Sequence, residues 1–201
     1  MNDSSLESFE QEFNGRFAWR KQRQIQNLKE LAEFPNTSGA SAMDDFPGLR
    51  EMGKRDFKDA LKRSILYLWL EAVECYIFGD YQACILVCGA TIERCLKLEY
   101  ETVNGIIPSK ENWTLGKIIK KCDKVVKSEL LIYAREMLEP RNSRAHALLE
   151  HADPVLSIIG GKDRGIQIIN PYAHVIEPYR GEAKKTIELA YKILKGLYGG
   201  K

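Results

Sequence analysis

Hydrophobic positions recur at helical spacing along most of the chain, and one stretch departs from that rule. Over 56–78, Leu61, Ile65, Leu68, Trp69, Ala72 and Tyr76 form one face and Leu66, Leu70, Val73 and Ile77 a second. Apolar residues on two faces predict a deeply buried helix, or one whose second face is covered by another subunit. Gly79-Asp80 ends this helix, and Asp80 is a good N-cap for the next. That helix spans about 81–103, with Cys84, Cys88, Thr91, Cys95 and Leu98 on one stripe and Ile85, Gly89, Ile92 and Leu96 on its neighbour. The two-residue link predicts antiparallel neighbours.

Residues 104–112 have loop composition. Thr114 is placed to cap a helix carrying Leu115, Ile118, Ile119 and Cys122, and Ser128 one carrying Leu131, Ala134 and Leu138. Pro140 predicts a kink or a fresh helix start, with that helix running through His146 to Leu149. A last amphipathic helix over 181–198 points Ala183, Ile187, Ala190, Leu194 and Leu197 inward. The departure is Val155–Ile159 and Gly165–Ile169, β-branched runs flanking Gly160-Gly161-Lys162-Asp163-Arg164. This pattern predicts a small β-hairpin. The expected fold class is therefore all-α, an antiparallel helical bundle with a hairpin insertion near 155–169.

The N-terminal region reads differently. Residues 1–34 form a polar helical arm whose apolar positions are sparse: Leu6, Phe9, Phe13 and Phe17, then Ile25, Leu28 and Leu31. So weak a stripe predicts an arm that needs a partner surface, such as a partner protein's. Residues 35–53, with Pro35, Gly39, Pro47-Gly48 and Gly53, read as a linker, leaving 54–201 as the folded domain.

Composition narrows the classes. The 201 residues are 44% hydrophobic and 29% charged, with a formal net charge of +2. This is globular composition without a gross nucleic-acid footprint, so any RNA-binding surface must be a local patch. No apolar run reaches about 18 residues, so no membrane span is expected. The polar start (Met1-Asn2-Asp3-Ser4-Ser5) does not read as a signal peptide, and five cysteines are an odd number. Together these point to reduced thiols and a cytoplasmic protein.

The chemistry concentrates after Pro140, in Arg141-Asn142-Ser143-Arg144-Ala145-His146. A helix beginning there would aim unpaired N–H groups and a positive dipole end at the same place as a side chain that titrates near neutrality. That combination suits an anion, and phosphodiester chemistry first. Asn142 and His146 are four apart and share a face. Arg141 is five from His146, about 140° around the helix, so it bends toward that face or serves a second copy of the site. Arg144 is the natural second phosphate ligand, with Ser143 beside it, or a structural ion-pair partner.

In the catalytic reading no metal or other cofactor is needed. His146 exchanges protons with a ribose 2′-hydroxyl or a leaving 5′-oxygen. Arg141 stabilises charge on phosphorus, and Asn142 orients an oxygen or the imidazole. In the plainer reading Arg141 and Arg144 are solvated or pair with Glu136 and Glu139, and His146 is a half-buried helix residue.

Other groupings carry less. Cys84, Cys88 and Cys95 have a ligand-like spacing but sit in an apolar helix without nearby histidines, and read as core thiols. His151, Asp153 and His174 lack a ligand pattern, and Gly160-Gly161-Lys162 lacks the spacing of a phosphate loop. Glu71, Glu74 and Glu93 are polar exceptions in apolar helices. Buried carboxylates need partners, and Arg94, Arg141 or Arg144 would tie them to the motif.

Taken together, the helix pair around 67–98, with Asp80-Tyr81-Gln82-Ala83-Cys84-Ile85 and Thr91-Ile92-Glu93-Arg94-Cys95-Leu96, and the R-x4-H motif of Arg141-Asn142 and His146 resemble the HEPN superfamily. These are α-helical domains of prokaryotic toxins, CRISPR-associated and other defence proteins, and some eukaryotic RNases. The resemblance covers about 55–198. It implies a metal-independent endoribonuclease that leaves a 2′,3′-cyclic phosphate, acting in defence, stress response or toxin–antitoxin biology. It also implies a homodimer whose motif helices build one composite site, with Glu93 and Arg94 in support. In the toxin branch paired with nucleotidyltransferases a tyrosine commonly lies two residues beyond the histidine; here that position is Leu148. Regulation by nucleotide transfer is therefore not implied. Some members of the superfamily are non-catalytic RNA-binding or dimerisation modules, which is the alternative function.

Overall fold

The helix at the centre is the one with two buried stripes. In the computed structural model, which describes residues 3–31, 45–50, 57–106, 113–146 and 179–199, it spans Tyr81–Asn104. In chain order the helices are α1 (Asp3–Leu31), α2 (Pro47–Arg50), α3 (Phe57–Phe78), α4 (Tyr81–Asn104), α5 (Leu115–Lys121), α6 (Ser128–Glu136), α7 (Leu138–His146) and α8 (Arg180–Tyr198), with a 3-10 turn at Cys122–Lys124. Helix α4 packs against α3, α5, α7 and α8. Both of its sequence stripes are buried: Cys84, Cys88, Thr91 and Cys95 on one, Ile85, Ile92 and Leu96 on the other. The described residues are all-α, as the periodicity predicts, and none of their helices is long and apolar enough to cross a membrane. The hairpin expected near 155–169 lies outside the described residues.

Helix α3 buries Ile65, Trp69, Ala72 and Tyr76 and, on its second face, Leu66 and Val73. Tyr67 and Phe78 remain exposed, and so do Glu71 and Glu74, which therefore need no buried counter-ion. The α3–α4 turn is a Schellman closure: Gly79 N–H bonds the Tyr76 carbonyl at 3.1 Å and Asp80 N–H the Cys75 carbonyl at 2.8 Å. It needs the positive φ of Gly79, +85°. Asp80 occupies the N-cap position of α4, but its side chain makes no capping hydrogen bond, and neither does that of Thr114 before α5. Ser128 is the first residue of α6, with Lys127 in the cap position.

Two expectations are corrected. The 35–53 linker is not all linker, because Phe46 and Leu49 are buried in the core. Phe46 meets Trp69 edge-on at 6.1 Å between ring centroids and Tyr191 at 5.8 Å. The arm is docked on its own domain through polar groups. Asn27, fully buried, donates to the Tyr76 and Ile77 carbonyls at 2.7 and 3.3 Å and accepts from the Tyr81 hydroxyl at 3.1 Å. Those carbonyls belong to the last turn of α3, where a helix runs out of its own donors. Tyr76 donates to Glu30 at 2.6 Å, and Glu30 pairs with Arg180 at the start of α8. Of the arm's apolar residues in the docked half, Leu31 is buried but Ile25 and Leu28 face solvent.

Candidate functional site

Helix α7 begins two residues before Pro140, at Leu138. Pro140 therefore falls in the first turn, where its missing N–H costs no hydrogen bond. The Arg141 N–H is already bonded to the Met137 carbonyl at 3.2 Å, and Glu139 lies in the first turn. The expected cradle of unpaired amides at Arg141 is thus not formed. What the helix does instead is lay Arg141 across α4.

The crossing is made at Gly89. A Cβ on Gly89 would stand 2.5 Å from Arg141 Cγ and 3.2 Å from its Cβ, so the arginine stem fills the space that any larger side chain would need. One turn further along α4, Glu93 receives the guanidinium, with Arg141 Nη2 3.6 Å from Glu93 Oε2. Arg141 Nη1 donates to Asn142 Oδ1 at 3.1 Å. Lys97 donates to the other carboxylate oxygen of Glu93 at 2.7 Å. The Arg141 and Glu93 side chains are 23% and 19% exposed, so the pair is shielded but open to solvent on one side.

Of the residues singled out in the sequence, the fold brings together Arg141, Asn142 and Glu93. Arg94 goes elsewhere, donating to Ser64 of α3 at 2.9 Å. Ser143 is half-buried on α7. The backbone of Arg144 and His146 completes α7, while their side chains lie outside the described residues, as do Leu148, His151, Asp153, His174 and Gly160-Gly161-Lys162. Arg141 pairs with Glu93 rather than with Glu136 or Glu139; Glu136 pairs with Lys185 at 3.3 Å.

The cysteines are core residues. Cys84, Cys88, Cys95 and Cys122 are fully buried and Cys75 is half-buried, all as free thiols. The Cys84 thiol is pushed up by its hydrogen bond with Cys88 and by burial, and Cys95 by burial and the Glu99 charge. Burial and Glu99 raise Cys122 to about 11. Upward shifts disfavour the thiolate, the form that binds metals and attacks electrophiles. Among the described residues no three His, Cys, Asp or Glu side chains converge as metal ligands.

At the N-terminal end of α4 lie two cavities that periodicity does not reveal. Gln82, Leu86, Gly89 and Glu93 are spaced four, three and four apart, so they lie along one strip of α4. A cavity of about 460 Å³ lined by Gly79, Asp80, Tyr81, Gln82, Ala83, Leu86 and Tyr179 occupies the N-terminal part of that strip. A second, of about 290 Å³, lies across the same turn, lined by Trp19, Arg20, Arg23, Gln24, Phe78, Gly79 and Asp80. Arg23 is held by Tyr81 Oη at 3.3 Å and lies 4.8 Å over the Trp19 ring. The available sequence signal is that residues 15–29 carry five cations (Arg16, Arg20, Lys21, Arg23, Lys29) and no carboxylate, with Trp19 among them.

No family model matches the chain, and neither a curated protein nor a solved structure matches it.

Proposed function

We propose that the protein is a metal-independent endoribonuclease of the HEPN type, acting in a reducing, cytoplasmic setting. The observation that carries this reading is the seating of Arg141 in the Gly89 notch, with its guanidinium at the partly exposed Glu93 carboxylate instead of buried in the core. An arginine fixed along its stem and open at its head is suited to meet a phosphodiester at a small cost in side-chain entropy. The ribose 2′-oxygen attacks phosphorus, the 5′-oxygen leaves, and the product end is a 2′,3′-cyclic phosphate. The 2′-hydroxyl gives up one proton and the 5′-oxygen gains one, and His146 serves this transfer. Arg141, with Arg144 and Ser143 as further contacts, balances the charge that builds on the phosphoryl oxygens. Asn142 orients the arginine through the 3.1 Å hydrogen bond. Glu93 acts through Arg141 and is a positioning residue. A homodimer in which two α7 helices complete one site is part of this proposal.

A second reading is favoured by the same ion pair: Glu93 already neutralises Arg141, as expected of a structural pair in a non-catalytic RNA-binding or dimerisation module. The deciding experiment is an RNA cleavage assay with EDTA, wild type beside His146→Ala, with product ends analysed. Cyclic-phosphate ends from the wild type alone support the nuclease. Equal cutting by a folded His146→Ala protein rejects it. RNA binding without product from either protein supports the module.

A further inference from the structure

We infer that the two cavities at the α3–α4 turn form one track for single-stranded RNA, in which an unstacked base seats between Trp19 and Phe78 and the strand runs along α4 toward Arg141. The inference rests on the proposed RNA chemistry and adds to it the entry path and the form of the substrate.

Three observations carry it. The first is the chemistry of the smaller cavity. Two aromatic side chains, Trp19 and Phe78, and two guanidinium groups, Arg20 and Arg23, line a recess of about 290 Å³. Aromatic faces next to cations are what unpaired nucleotides bind, because every base has a π-face and every linkage a negative charge. Phe78 is 59% exposed although it ends a helix with two buried faces. Arg20 is exposed, whereas Arg23 is fixed by Trp19 and Tyr81 and stiffens the wall. Asp80 is exposed at the rim shared by both cavities and is an acceptor for a ribose hydroxyl or an exocyclic amine.

The second observation is continuity. Both cavities are bounded by Gly79 and Asp80, and the larger one reaches Leu86. Leu86 is one turn from Gly89, where Arg141 crosses. From Asp80 to Gly89 the rise of an α-helix covers about 13 Å, a distance of a few nucleotides rather than of a long duplex.

The third is charge. The net charge of +2 requires that any RNA contact be local. Arg20 and Arg23, which line the smaller cavity three residues apart on one face of α1, supply that local charge, and the Asn27 anchor fixes their helix against the α3–α4 turn.

The test uses the full chain and a fluorescein-labelled short single-stranded RNA whose 2′-hydroxyls are methylated, so that it binds without being cut. Phe78→Ala and Trp19→Ala each weaken binding roughly ten- to hundred-fold, the usual loss for one stacked base. Arg20→Ala lowers the slope of log affinity against log salt by about 0.7, one phosphate contact on a single strand. Phe78 is largely exposed, so its variant keeps the fold even if Trp19→Ala loosens α1. Three results overturn the track: a wild type that does not bind the probe, unchanged affinity in both aromatic variants, or equal losses for a duplex of the same sequence. If binding and cleavage depend on Arg141 and His146 but not on Phe78 or Trp19, the track is rejected and the proposed nuclease site stands. Loss in Phe78→Ala with cleavage indifferent to His146 rejects the site and keeps the track.

Discussion

Arg141 lies across Gly89, with its Cγ where the first atom of any side chain on that helix would have to go. The absence of a Cβ on α4 thus fixes where the motif arginine runs. Gly89→Ala gains about 1 kcal/mol of helix propensity but overpacks the crossing, which typically costs about 1–3 kcal/mol. The expected net effect is a loss of roughly 1 kcal/mol in urea unfolding. In an Arg141→Ala background the clash is gone, and Gly89→Ala becomes neutral or stabilising. A Gly89→Ala variant that is more stable than wild type on its own would show that the two helices separate easily at the crossing.

Asn27 is the residue on which docking of the arm turns. Replacing it with alanine removes its bonds to the Tyr76 and Ile77 carbonyls and strips the Tyr81 hydroxyl of its acceptor. Leaving buried polar groups without partners costs about 1–3 kcal/mol. Amide exchange in the docked part of α1, residues 19–31, accelerates in Asn27→Ala, while α4 keeps its protection. Unchanged exchange over 19–31 would mean that Glu30 and Leu31 suffice to hold the arm.

Phe46 is the clearest case of a residue hidden by its neighbourhood in sequence. Pro47-Gly48 marks a turn, and the four-residue helix beside it is too short to show a period. Its burial depends on Trp69 and Tyr191, which only the tertiary fold brings near. Phe46→Ala is expected to cost about 3–5 kcal/mol by leaving a cavity against two aromatic rings. Thermal unfolding of the variant checks it, and a negligible shift in melting temperature would place Phe46 outside the core.

What the sequence shows and hides follows one physical division. The stripes of α4 are legible because Cys84, Cys88, Thr91 and Cys95 repeat the helical period against one continuous core. Ile25 and Leu28 mislead because apolar residues need not be the buried face when a helix docks on the last-turn carbonyls of another; there the buried residue is Asn27. In the candidate site the Glu93 partnership is legible, since a carboxylate in an apolar helix implies a cation and the motif supplies one. Gly89 reads as one more small apolar position, because nothing local distinguishes a core glycine from one that admits another helix's arginine. The smaller cavity at the α3–α4 turn joins residues about 60 apart in sequence and the larger residues about 100 apart, beyond the reach of any periodicity.

Alkaline pH should destabilise the protein more than its modest charge suggests. The Cys88 hydrogen bond and burial hold Cys84, and burial holds Cys95 and Cys122, above the ordinary thiol value of 9.0, with Cys122 at about 11. The native state therefore keeps protons that the unfolded chain releases. These thiols contribute stability that is fully present below about pH 9 and is lost as pH rises through the folded values. The melting temperature is expected to fall steadily between about pH 9 and 11. It falls less in Cys122→Ala, once corrected for the variant's lower stability at neutral pH. A flat melting temperature over that range would mean that the thiols do not titrate differently on unfolding.

Glu93→Gln separates the two functional readings because it keeps the shape of the site and removes its negative charge. Glu93 is shared by Arg141 at 3.6 Å and Lys97 at 2.7 Å, and each pair is partly exposed, so the stability cost is at most about 1 kcal/mol. If Arg141 serves RNA, loss of the carboxylate frees both cations toward the phosphates. Affinity for single-stranded RNA then rises severalfold, and the salt slope steepens by about 0.7 for each additional phosphate neutralised. Cleavage moves the other way, because a guanidinium no longer held in place samples more orientations in the transition state. Higher affinity with lower turnover, measured on the same preparation, is the signature of a positioning carboxylate. If the pair is only structural, both RNA measurements stay at wild-type values while the melting temperature falls slightly.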